Sequence, residues 1–171
     1  MSDNEQQAQF DRLVIPHLDA AYNLARWLAG NDHDAEDIAQ EACVRAFRFV
    51  GGCRGSDGRS WLLAIVRNTA YSWLKKNRSQ PLISMDDDEC PEIEGPSGAA
   101  SSFHSSDTDA LRAALEALPL EFREALVLRE LEGLSYKEIA EVAEVPLGTV
   151  MSRLARARRQ LQGALNRKGD V

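Results

Sequence analysis

The chain has 171 residues, 44% of them apolar, enough for folded cores but with no apolar run long enough to span a bilayer. Its formal charge of −7, taken alone, argues against a nucleic-acid binder, but the charge is segregated: residues 1–82 carry ten acids and ten bases, 83–110 eight acids and no base, and 111–171 nine acids and ten bases. The acidic start, MSDNEQQAQF, is no signal peptide, and Cys43, Cys53 and Cys90 form no CxxC pair; a reduced cytoplasmic protein with no membrane insertion, metal or cofactor is expected.

Three amphipathic segments fill the first half. Phe10, Leu13, Val14, Leu18, Ala21, Ala25 and Leu28 recur at steps of three and four until Gly30-Asn31-Asp32 breaks the pattern. Ile38, Ala39, Ala42, Cys43, Ala46, Phe47 and Val50 make a second stripe, and Trp61, Leu62, Ile65, Val66, Ala70, Trp73 and Leu74 a third. Between the second and third lies GGCRGSDG, Gly51 to Gly58, whose four glycines suit either close approach to a ligand or an ordinary mobile connection. Along the third segment Arg67, Tyr71, Lys75 and Arg78 share one face, with Asn68 beside them. Such a cationic stripe with an aromatic and an amide suits a single strand held by its phosphates while its bases stack. Trp61 and Trp73 lie in the apolar stripe and are read first as core.

From Ile83 to Ser106 the periodicity dissolves into Ser, Gly, Pro and acid, the composition of an extended linker. The fold class expected is all-α: two small helical domains, residues 1–82 and 107–171, joined by a flexible acidic linker at 83–106.

The second domain opens with Leu111, Leu115 and Leu118, breaks at Pro119, and resumes with Phe122, Ala125, Leu126 and Leu131. Ser135 and Glu138 then form a capping box, which predicts a helix start, and Ile139, Val142 and Ala143 give that helix its apolar side. Pro146 ends it, the chain turns through Val145-Pro146-Leu147-Gly148, and a second helix follows. This is helix-turn-helix grammar. At about 100° per residue Val150, Leu154, Ala157 and Leu161 fall in one inward sector. Thr149, Ser152, Arg156 and Arg159 take the opposite one, flanked by Met151, Arg153 and Arg158. Exposed arginines are often only solvated, but six bases and no acid between Arg153 and Lys168 favour a face that enters the DNA major groove.

These residues resemble the extracytoplasmic-function (ECF) class of sigma-70 factors, the bacterial subunits that direct RNA polymerase to promoters. Four stretches carry the resemblance: Asp34 to Glu41, Arg59 to Ala70, Leu118 to Arg123, and Gly148 to Arg158. The first resembles the family's region 2.2, the second regions 2.3 and 2.4, the third region 4.1 and the last region 4.2, whose helix reads the minus-35 element. The resemblance implies that Arg54, Ser56, Asp57, Asn68, Tyr71 and Lys75, with the neighbouring Arg67 and Arg78, capture the opened minus-10 strand. It implies that Thr149, Met151, Ser152, Arg153, Arg156 and Arg159 face the minus-35 duplex, and that Asp37, Gln40, Glu41, Arg45 and Arg48 dock on core RNA polymerase. An anti-sigma factor is the further partner it implies, beside core polymerase and promoter DNA. Met151 and Ala155 stand where many relatives carry larger polar or aromatic side chains, so the base preference does not transfer. The alternative reading is an autonomous helix-turn-helix regulator. No catalytic constellation is present: the histidines His17, His33 and His104 are scattered and there is no P-loop.

Overall fold

A computed structural model of the chain describes residues 1–55, 57–78 and 106–169. Ser56, the acidic segment 79–105 and, with it, Cys90 lie outside the described residues, as does the side chain of Arg78 at the end of the fourth helix.

Helix α1 (Asp3–Leu13) starts on a capping box in which the Ser2 hydroxyl accepts from the Glu5 amide and the Glu5 carboxylate accepts from the Ser2 amide. The apolar stripe read from the sequence as one unbroken segment, Phe10 to Leu28, is cut here: a 3-10 turn at Ile15–His17 separates α1 from α2 (Leu18–Ala29). Pro16 is the physical reason, because it has no N–H to continue the ladder and its ring crowds the preceding turn. Gly30, at φ +88°, closes α2, and the Asn31 side chain accepts from the Asp34 amide at 2.8 Å to open α3 (Asp32–Phe49). A 3-10 turn at Val50–Gly52 leads into the loop before α4 (Gly58–Arg78).

α2, α3 and α4 pack pairwise around Leu24, Leu28, Ile38, Leu62, Leu63 and Val66, all fully or almost fully buried. Ala21, Ala25, Ala42, Ala46 and Ala70 are buried between them and let the helix axes approach closely. Each buried Leu or Ile contributes about 2 kcal/mol, so this small bundle rests on a handful of side chains.

The second module begins with α5 (Ser106–Glu116) and α6 (Leu120–Leu126), separated at Pro119 as the sequence predicts. α6 then runs into a π turn, Val127–Leu131, closed by the Glu132 amide donating to the Val127 carbonyl at 3.0 Å. The wider turn shifts the register: Leu128 is buried while Leu131 is 53% exposed, against its sequence reading as part of the apolar face. Helix α7 (Tyr136–Ala143) carries the expected Ser135–Glu138 capping box. It ends at Glu144, a non-glycine residue in the left-handed region at φ 56°. The last helix, α8 (Leu147–Gly169), inserts Val150, Leu154 and Ala157 into the core and leaves Leu161 half-buried.

The two modules are packed together. α2 meets α6, α4 meets α7, and the buried apolar residues of both form one continuous cluster.

Candidate nucleic-acid and polymerase interfaces

The outward face of α8 is built as its periodicity requires. With Val150, Leu154 and Ala157 turned inward, Met151, Ser152, Arg156 and Arg159 are exposed and Thr149 is half-exposed. Arg153 is drawn partly inward toward Glu121, 3.9 Å away, and Arg158 makes a 3.0 Å ion pair with Glu130 that holds its guanidinium pKa above the usual range. The face offers a duplex one thioether, short hydroxyls and two solvated guanidinium forks, the groups that read base edges and hold phosphates in the major groove.

On α4 the expected single-strand face is divided. Asn68 and Lys75 are exposed, whereas Arg67 and Tyr71 are turned against the second module. The Arg67 guanidinium donates to Glu124 Oε1 at 2.7 Å, and the Tyr71 hydroxyl donates to Glu124 Oε2 at 2.7 Å. Arg67 also stacks over the Tyr71 ring at 3.9 Å, with a second hydrogen bond to the Asn68 side-chain oxygen at 3.3 Å. Glu124 is 1% exposed. Burial, and then the adjacent Glu124 carboxylate, push the Tyr71 phenol far up. Burial works against the Arg67 charge, but Glu124 more than offsets it and the guanidinium pKa is raised.

The loop ahead of α4 is exposed at Arg54 and Asp57, and the Asp57 carboxylate accepts from the Arg59 amide at 3.0 Å, tying the loop to the first turn of the helix. An open cleft of about 710 Å³ separates this loop from α7, with Arg54, Asp57 and Trp61 on one side and Lys137, Glu138 and Glu141 on the other. Ser60 donates to Glu138 at 3.0 Å in this cleft, and elsewhere the modules are joined by Arg59 donating to the Glu132 carbonyl at 3.0 Å and Asn23 to the Glu132 side chain at 2.9 Å. Sequence reasoning missed Glu124, Glu132 and Glu138 as partners of the first module, because nothing in helical periodicity says which helix a buried acid will meet. The one available signal was that Glu124 falls among the apolar positions Phe122, Ala125 and Leu126.

The residues expected to grip polymerase lie along α3. Gln40 and Arg48 are exposed, Glu41 and Arg45 form an i,i+4 ion pair at 2.6 Å, and Asp37 lies 3.7 Å from His33. Val44, Phe47 and Phe49 on the same helix are exposed apolar residues that the sequence reading did not single out, Phe47 having been assigned to the inward stripe. Trp61 and Trp73 are half-buried against the core. Among the described residues no cluster of His, Cys, Asp and Glu could hold a metal ion, and no helix is long and apolar enough to cross a membrane. Cys43 and Cys53 are free thiols whose pKa values burial raises.

The family model described as Sigma-70 region 2 matches residues 13–80, and the one described as Sigma-70, region 4 matches residues 108–161. The chain is 39% identical over 165 residues to the ECF RNA polymerase sigma factor SigE of Mycolicibacterium smegmatis, covering 95% of this chain and 64% of that relative. It is 36% identical over 166 residues to the RNA polymerase sigma-H factor of Pseudomonas aeruginosa, covering 91% of this chain and 86% of the relative. Among solved structures it resembles the sigma factor RpoE of Bartonella quintana in complex with the anti-sigma factor NepR, with a TM-score of 0.73 and 28% identity over 92% of this chain and 96% of that one. CnrH in complex with the cytosolic domain of CnrY shares the fold, with a TM-score of 0.64 and 23% identity over 94% of this chain and 89% of that one. Two helical modules in the order region 2 then region 4, matched over 89–95% of this chain by relatives named ECF sigma factors, place the chain in the sigma-70 family of RNA polymerase sigma factors, in its ECF class.

Proposed function

We propose that the chain binds core RNA polymerase and carries it to promoters, with the labour divided between its modules. Residues 1–82 dock on the core enzyme through α3, at Asp37, Gln40, Glu41, Arg45 and Arg48, and hold the opened minus-10 strand through the loop and α4, at Arg54, Ser56, Asp57, Arg67, Asn68, Tyr71, Lys75 and Arg78. Residues 107–171 read the minus-35 duplex through Thr149, Met151, Ser152, Arg153, Arg156 and Arg159, and residues 83–106 span between them. The factor has no chemistry of its own; bond formation belongs to the polymerase, and both work in the cytoplasm. Strand opening proceeds without ATP because protein contacts to flipped bases and phosphates offset unstacking.

The observation that carries this reading is that Asn68 and Lys75 on α4 and Arg156 and Arg159 on α8, one set on each module, are exposed although the modules are packed together. An anti-sigma factor is the regulatory partner. Supporting it, the chain as a whole resembles in shape a sigma factor crystallised with its anti-sigma factor.

The test is transcription from total genomic DNA by purified core enzyme with and without the chain, followed by sequencing of transcript 5′ ends. The reading requires a discrete set of chain-dependent start sites with two shared upstream elements at fixed spacing. An autonomous regulator would give none and would bind a two-fold operator tightly on its own.

A further inference from the structure

We propose that Glu124 is a built-in competitor for the opened promoter strand, holding the free factor closed by taking the donors a strand phosphate needs. The inference rests on the reading of α4 as the strand-binding face.

Glu124 belongs to the second module, yet its two carboxylate oxygens accept separately from Arg67 and Tyr71 of the first, each at 2.7 Å. A phosphate offers the same group, an anion with two oxygens spaced for an arginine fork and a neighbouring hydroxyl. While Glu124 sits there, the Tyr71 hydroxyl and the Arg67 Nε–H are both taken, and the Arg67 side chain is only 15% exposed.

At the ion pair itself the energetics favour a reversible contact. The Glu124 and Arg67 side chains are 2% and 15% exposed in the pair, so both lose most of their hydration on closing. That loss nearly cancels their attraction, and a well-packed apolar pair would bind at least as firmly. An ion pair at this point therefore does little to make the closed state permanent. It fixes which surfaces meet, and it lets both groups return to water without an exposed apolar patch at that spot.

The surroundings supply both a barrier and a way in. Glu138 and Glu141 of α7, with Lys137 beside them, face the loop residues across the open cleft, so in the closed state a nucleic acid meets a wall with one net negative charge there. Asn68 and Lys75 remain exposed on the same helix as Arg67 and Tyr71. An incoming strand engages those two first and then exchanges its phosphate for the carboxylate, which separates the modules.

The full chain is compared with its Glu124→Gln and Arg67→Gln variants by small-angle X-ray scattering, far-UV circular dichroism, and fluorescence anisotropy of a labelled, mixed-sequence single-stranded 12-mer at low salt. Glu124→Gln keeps wild-type helicity, has a larger radius of gyration and binds the oligonucleotide about tenfold more tightly, as removal of a closed population demands. Arg67→Gln also expands but binds more weakly, having lost a strand contact. A folded Glu124→Gln variant with unchanged radius or unchanged strand affinity overturns the proposal. Where Glu124→Gln does not fold, an unexpanded Arg67→Gln variant overturns it instead. Failure of the promoter-factor reading is distinguishable, since it removes chain-dependent transcripts from wild type and variants alike and leaves the scattering comparison intact.

Discussion

Gly58 lies directly against the backbone of Leu13, so close that a Cβ on Gly58 would run into the Leu13 carbonyl. The contact joins the end of α1 to the first residue of α4 and fixes where the loop at 51–57 emerges. Gly58→Ala forces those helices apart. We expect a loss of about 1–3 kcal/mol in urea unfolding, the cost typical of overpacking a tight site. Promoter opening should fall further than binding to core enzyme, because the displaced loop carries Arg54 and Asp57.

Glu144 predicts the opposite sign. It caps α7 in a left-handed conformation, at φ 56°, with its side chain exposed. A non-glycine residue there costs about 1–2 kcal/mol. Glycine removes that strain and returns part of the gain as unfolded-chain entropy, so Glu144→Gly should raise stability by about 0.5–1 kcal/mol. A rise in thermal midpoint with unchanged transcription checks it.

The Ser135–Glu138 box has a pH signature. The Ser135 amide, then the Ser60 and Ser135 hydroxyls, hold the Glu138 pKa below its ordinary value of 4.5. A carboxylate depressed in the folded state stabilises fully above its unfolded pKa and loses that contribution as pH falls through the folded one. Wild type should therefore exceed Glu138→Gln in thermal midpoint at pH 7, and the gap should narrow below about pH 4.5. A gap that widens in acid contradicts the assignment.

Buried and exposed faces of α8 separate cleanly. Leu154 is 1% exposed and Met151 53% exposed, three residues apart on the same helix. Leu154→Ala should cost about 2–5 kcal/mol in unfolding free energy. Met151→Ala should stay within about 0.5 kcal/mol of wild type while changing which minus-35 sequences are used, measured by transcription from a randomised element.

Much of this was legible in the sequence because it is written in local rules. The capping box at Ser135, the break at Pro119 and the inward trio Val150, Leu154 and Ala157 all follow from spacing within one helix. Pro16 was equally legible and was overridden by an apolar stripe that continues through it. The π turn at Val127–Leu131 had no such mark, and it moved Leu131 from the core to the surface. Least legible was the pairing of Glu124 with Arg67 and Tyr71, a contact across 57 and 53 positions of sequence that depends on how two modules meet. Periodicity placed Arg67 and Tyr71 on one face of α4 without saying that a carboxylate would cover it.

The division of labour between the modules is tested most directly by run-off transcription with core enzyme on an intact promoter and on one whose minus-35 element is scrambled. Arg156→Ala should lower transcription on the intact template by about tenfold or more, the worth of one good base-edge contact, and have no further effect on the scrambled one. Lys75→Ala should lower both. Equal losses from Arg156→Ala on the two templates, or a Lys75→Ala defect that disappears when minus-35 is scrambled, would contradict the account.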